Sequence, residues 1–245
     1  MSLVNVLGEK EMKKIVIFLV LAALITGGAF AQMSFGGGVL LDMSFGNGAK
    51  WKVGNTEYKS NTNNTSFGGF VFFDANYVEV DVSFAYGSLR HVISPSIAGN
   101  DRNDNGGNVL QLGFSVLGKY PIHLGSLTVF PLVGINYNAV LSAKGPGLNK
   151  FESKYPDPAD PKKDISVMSE SSQFGILGGI GLDVPFSNNL FFRAEALINL
   201  RFANKSTKEG VDDLNTPAMK LFGYSDAKTT LGIGPRIKIG IGFRF

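Results

Sequence analysis

Six acids and six bases recur on one face of segments that otherwise alternate apolar with small residues. They are Asp42, Asp74, Glu79, Asp81, Asp183 and Glu195 against Lys119, Arg193, Arg201, Arg236, Lys238 and Arg244. Buried charge is costly unless it is paired, and equal numbers of opposite sign permit pairing. Two kinds of chemistry follow: a structural salt-bridge plug, or a selective path for ions. Most of these charges fall near the tight-turn ends of their segments. A second set on the same face is apolar: Leu40, Phe70, Phe72, Leu132, Val140 and Leu177. These fall in the middle of their segments or toward the long-loop ends. Above a charged floor they would line a cavity for a greasy small molecule. Alternatively they pack on one another, or a local bulge turns Phe70 and Phe72 outward.

Groups suited to covalent or metal chemistry are sparse. The chain has two histidines and no cysteine, so neither disulfides nor thiolate metal sites are available. His123 falls in a short turn. His91 begins a long loop, with Ser88 and Ser94 near it in sequence only; a nucleophile needs a base at hydrogen-bond reach. Asp101 to Gly106 reads DRNDNG, the opening of a calcium loop, but the twelfth position is Leu112 where a bidentate Glu belongs. No catalytic residue, no metal ligand set and no cofactor is assigned.

The elements that carry the charges read as β-strands. Residues 231–245, LGIGPRIKIGIGFRF, alternate strictly: Leu231, Ile233, Pro235, Ile237, Ile239, Ile241, Phe243 and Phe245 on one face, glycines and cations on the other. A strand with lipid outside and a polar lumen inside shows this pattern. The same period marks about 33–45, 67–76, 78–90, 108–120, 126–140, 173–185 and 190–202. The connections alternate. Those near residues 74–78, 121–126 and 185–189 are short. Those at about 46–66, 91–107, 141–172 and 203–228 are long and polar, and Trp51 falls in the first of them. Pro146, Pro156, Pro158 and Pro161 disfavour a further wall hairpin within 141–172. The fold class is therefore all-β: an eight-stranded antiparallel transmembrane β-barrel with four long external loops and short periplasmic turns. Aromatic residues cluster at both ends of the strands, as two membrane interfaces require: Phe45, Phe67, Tyr86, Phe174 and Phe202 at the loop ends, Phe35, Tyr77, Tyr120, Phe192, Phe243 and Phe245 at the turn ends.

The N-terminus predicts export. Met12-Lys13-Lys14 opens a cationic region, Ile15 to Ile25 is apolar, and Ala29-Phe30-Ala31 is a cleavage site ahead of Gln32. Residues 1–31 are thus read as a signal peptide, with 1–11 as an over-extended start, and 32–245 as the barrel. Beyond the signal no apolar run is long enough for a transmembrane helix, and mean hydropathy is only +0.11. Barrels hide in such numbers because lumen residues dilute the lipid face. Net charge is +3 with no concentrated basic stripe, which argues against a nucleic-acid partner.

With signal, strand number, loop alternation and terminal Phe245 together, the chain resembles the small eight-stranded bacterial outer-membrane barrels: the OmpA transmembrane domain, OmpX and, most of all, OmpW. The resemblance implies an integral outer-membrane protein with its loops outside the cell. It implies outer-membrane lipid as surroundings and the barrel-insertion machinery as a partner that recognises Phe243 and Phe245. Likeness to the OmpW type implies small hydrophobic solutes passing through the upper lumen with lateral exit to lipid. The other function class is a surface-exposed interaction, adhesion or structural envelope protein whose loops meet external ligands. An enzyme is not expected.

Overall fold

In the computed structural model the described residues are 33–94, 105–145, 148–152, 154–156, 164–166, 172–203, 205–221 and 224–245. The signal segment 1–31, Asp101 to Asp104 of the calcium-like motif, and Pro146, Pro158 and Pro161 lie outside them. In chain order the elements are β1 (Met33–Val53), β2 (Thr56–Ala75), β3 (Val78–Ser94), β4 (Asn105–Lys119), β5 (Ile122–Leu124), β6 (Leu127–Gly145), β7 (Leu148–Glu152), β8 (Lys154–Pro156), β9 (Asp164–Ser166), β10 (Gln173–Pro185), β11 (Leu190–Arg201), α1 (Lys205–Leu214), α2 (Pro217–Leu221), β12 (Tyr224–Thr230) and β13 (Gly232–Arg244).

Eight of these close a wall in the order β1-β2-β3-β4-β6-β10-β11-β13 and back to β1, every pair antiparallel. Closure leaves no edge in the wall, and the backbone donors pair from strand to strand except where a ladder skips or bulges. No helix among the described residues is long and apolar enough to cross a membrane. The outward parity is as read from the sequence. Phe35, Val39, Phe67, Val71, Phe73, Phe84, Ile180, Ile198, Ile237, Ile239 and Ile241 are exposed. All eleven aromatic residues expected at the two rims are exposed as well. The partners on the opposite face, from Ser34 to Lys238, are buried.

The long connections differ from expectation. Residues 46–66 are not a loop: β1 runs on for 21 residues and returns through the two-residue turn at Gly54-Asn55. Gly54 supplies that turn's left-handed position, with φ +59°. Alternation there is weak because both faces of the extension are polar, so the sequence lacks its strongest strand signal. Trp51 therefore belongs to strand β1, stacked on Tyr58 with ring centroids 6.0 Å apart. Residues 203–228 are not a plain loop either. They form α1, α2 and most of β12, which pairs β1 along the line of β13. Within 141–172 the described residues hold two short pairings and no further wall strand: β7 folds back on the end of β6, and β8 pairs β9 in a sheet separate from the wall. The extension of β1, β2 and β12 is packed on one side: Val211 and Leu214 of α1 meet Ala49, Trp51 and Ala227.

Candidate functional site in the barrel lumen

Two clusters hold the lumen charges. At the centre of the larger one lies Arg193, 1 % exposed. Its Nε and Nη2 donate to the two carboxylate oxygens of Asp183, each at 2.7 Å. Nη1 donates to Glu79 at 2.6 Å and Nη2 to Asp74 at 2.7 Å. Only a planar guanidinium offers this many fixed donors. Lys238 Nζ donates to Glu79 at 2.9 Å and Asp81 at 3.0 Å, and lies 2.6 Å from Glu195 as an ion contact. Lys119 donates to Asp74, and Arg244 lies 3.8 Å from Asp183. The smaller cluster gathers two arginines on one acid. Arg201 reaches Asp42 at 2.6 Å, and Arg236 reaches it through Nε at 3.0 Å and Nη2 at 2.5 Å. Ser44 accepts from Arg201 Nη1 at 3.4 Å, and Ser115 and Asn138 accept from Arg236 at 3.2 Å each, while the buried Arg201 Nε has no partner among the described residues.

All six apolar residues are buried in the lumen, but not as a separate storey above the charges. Leu40, Phe70 and Phe72 pack with Ala85 and Phe191. Leu132 and Leu177 pack with Leu117, Phe130 and Leu197. Val140 meets Val109 and Leu89. The rings and the cations are interleaved: the Arg193 guanidinium lies 4.4 Å from the Phe72 ring centre and 5.1 Å from those of Phe130 and Phe191. Lys238 stands 5.1 Å from Phe70, and Lys119 4.5 Å from Phe130. The layering of apolar cavity over charged floor is thus replaced by one packed body. The attraction of cations for ring faces, strongest where water is excluded, favours this interleaving.

Sequence reading missed Phe130, Phe191, Leu117 and Leu197. The signal for the two rings was present as cross-strand glycine. Phe72 pairs Gly36, Phe130 pairs Gly181 and Phe191 pairs Gly242. A Cβ on those glycines would stand 2.5, 2.1 and 2.2 Å from the facing ring. Each ring lies over a residue that has no side chain, which lets an eight-stranded lumen hold aromatics and charges together.

At the turn end, Ser34, Asp74, Lys119, His123, Asp183 and Arg244 enclose only about 20 Å³, room for roughly one water. His123 contacts the Thr128 hydroxyl Oγ1 at 3.1 Å, and no carboxylate is among its described hydrogen bonds. The backbone of His91 lies in β3, and its side chain is outside the described set.

The profile of the family described as "Outer membrane protein beta-barrel domain" matches residues 16–221. Among solved structures, the outer membrane protein OprG of Pseudomonas aeruginosa is 14 % identical, with a TM-score of 0.47, over 87 % of this chain and 95 % of its own. The E. coli Outer Membrane Protein W is 13 % identical, with a TM-score of 0.36, over 85 % and 98 %. Ail, the attachment invasion locus protein of Yersinia pestis, solved with the heparin analogue sucrose octasulfate, is 12 % identical, with a TM-score of 0.36, over 87 % and 98 %. No curated protein matches the chain.

Proposed function

The chain belongs to the family of outer membrane protein β-barrel domains, and from that premise we propose that it is a closed barrel acting through the surfaces at its loop end, outside the cell. One observation carries this reading: Arg193 is held by three carboxylates and faced by three rings inside the lumen, toward its turn end. A hydrated ion crossing here would have to break the network and displace the rings. The extended β1–β2 hairpin, backed by α1, offers instead a rigid external surface on a stable base. In planar bilayers the protein is expected to show no large, steady conductance. Stepwise openings of porin size would overturn the reading.

A second reading keeps passage of small hydrophobic solutes with lateral exit to lipid. It is favoured by the seam between β1 and β13. The ladder there skips from Asp42–Arg236 to Phe45–Ile233, at Pro235, which has no N–H to give. Liposome swelling with apolar solutes separates the two: swelling without ion conductance supports this second route, and its absence supports the surface role.

For assembly, we propose that Phe243 and Phe245 form the end recognised during insertion. Their rings meet edge to face at 5.2 Å, and both are exposed on the outer side. Deleting Phe245 is expected to lower the yield of heat-modifiable folded barrel in outer-membrane fractions severalfold. Undiminished yield would remove the proposal.

A further inference from the structure

Three lysines stand in register on the external extension. Lys50 of β1 is paired with Lys59 of β2 on one side and with Lys228 of β12 on the other. Cross-strand partners share a face, so the three ammonium groups form a row across three strands about 4.8 Å apart. Like charges set directly opposite destabilise a sheet. None of the three has an ion-pair partner among the described residues, whereas nearby Lys52 is bonded to Asp226 at 3.2 Å and faces Glu57. Lys50 and Lys228 line a groove of about 440 Å³ together with Trp51, Lys52, Glu57, Asp226 and Ala227.

The row faces sideways, along the membrane. The β2–β3 register is unbroken from Asp74 to Lys59, so Lys59 keeps the parity of the outward residues Phe67, Val71 and Phe73. The opposite face of the extension is the one α1 covers through Ala49 and Trp51. Height decides among anions. Lys59 lies eight residues beyond the rim residue Phe67, about 26 Å along a strand and roughly 19 Å in height at about 45° tilt. Lipid headgroups extend only about 5–8 Å beyond the hydrocarbon. A simple anionic phospholipid ends well below the row. A saccharide chain tethered beside the wall rises past it.

We propose that Lys50, Lys59 and Lys228 dock the phosphorylated saccharide of a glycolipid in the surrounding outer leaflet, its anionic groups laid across the three strands. The inference rests on the reading of a barrel that acts through its external surface, but its test is independent of conductance. Trp51, the chain's single tryptophan, lines the groove and serves as the reporter.

The whole barrel, folded in nanodiscs of zwitterionic lipid, would be titrated with rough lipopolysaccharide bearing a phosphorylated core, following Trp51 emission. A saturable change is expected, weakened at least tenfold by K50Q/K59Q/K228Q and by raising salt from low to about 0.5 M. Lys220→Glu on α2 is expected to leave it unchanged. Retained heat-modifiability shows that the triple variant is folded; if it is not, Lys59→Gln alone is expected to weaken binding at least threefold. Equal binding by the triple variant or by dephosphorylated glycolipid overturns the proposal. So does an equal or stronger response to phosphatidylglycerol, or to a soluble sulfated oligosaccharide, which would assign the row to a different anion.

Discussion

Arg193→Met is expected to destabilise the folded barrel by about 3–5 kcal/mol, the cost of removing one partner from a buried ion pair. Methionine keeps much of the volume and leaves the ring contacts with Phe72, Phe130 and Phe191 largely filled, so the loss is electrostatic. Asp74 and Glu79 would each lose one donor and Asp183 two, all at 2.6–2.7 Å. None is stranded completely, because Lys119, Lys238 and Arg244 remain beside them. Arg193→Lys is expected to lie between the two, since one ammonium cannot serve three carboxylates at the guanidinium's fixed angles. Denaturant unfolding in detergent, read by the heat-modifiable band and by circular dichroism, measures the difference. An unchanged midpoint for Arg193→Met would mean that the network does not stabilise the folded barrel.

The wall was legible because its physics is one-dimensional. A lipid face and a filled lumen force period-two alternation on every strand, and the terminal strand shows it over fifteen residues. Gln173–Pro185 begins and ends where its pattern does. The lumen charges were legible by the same parity. How they are arranged was not. Sequence parity says that Phe72 and Arg193 both point inward; it does not say that they meet at 4.4 Å from strands far apart in the chain. The lysine row was hidden for a different reason. Lys50 and Lys228 become neighbours only through β12, and nothing in YSDAKTT alternates strongly enough to announce a strand. The extension beyond Phe45 lost its signal where lipid no longer imposes a face.

Neighbouring residues on β13 test both faces of the wall in one experiment. Lys238 points inward and holds Glu79, Asp81 and Glu195; Ile239 points outward and is 42 % exposed. Had Lys238 been unpaired, Lys238→Gln would be the milder change. Because it is paired three ways, the expected cost is about 3–5 kcal/mol. Ile239→Arg is expected to cost about 2–4 kcal/mol near the midplane, through lipid alone. The two losses separate by environment. Transfer from detergent micelles to a bilayer should enlarge the Ile239→Arg penalty, because only that side chain meets hydrocarbon, and leave Lys238→Gln nearly unmoved. Glu195 completes the argument. The larger cluster holds five acids, Asp74, Glu79, Asp81, Asp183 and Glu195, against Lys119, Arg193, Lys238 and Arg244, and Glu195 has Lys238 as its only ion contact among the described residues. Glu195→Gln removes the surplus negative charge while keeping shape, so it is expected to be near neutral where Lys238→Gln is severe. Equal damage from both would show that the fit of each group, rather than the balance of charge, governs the lumen.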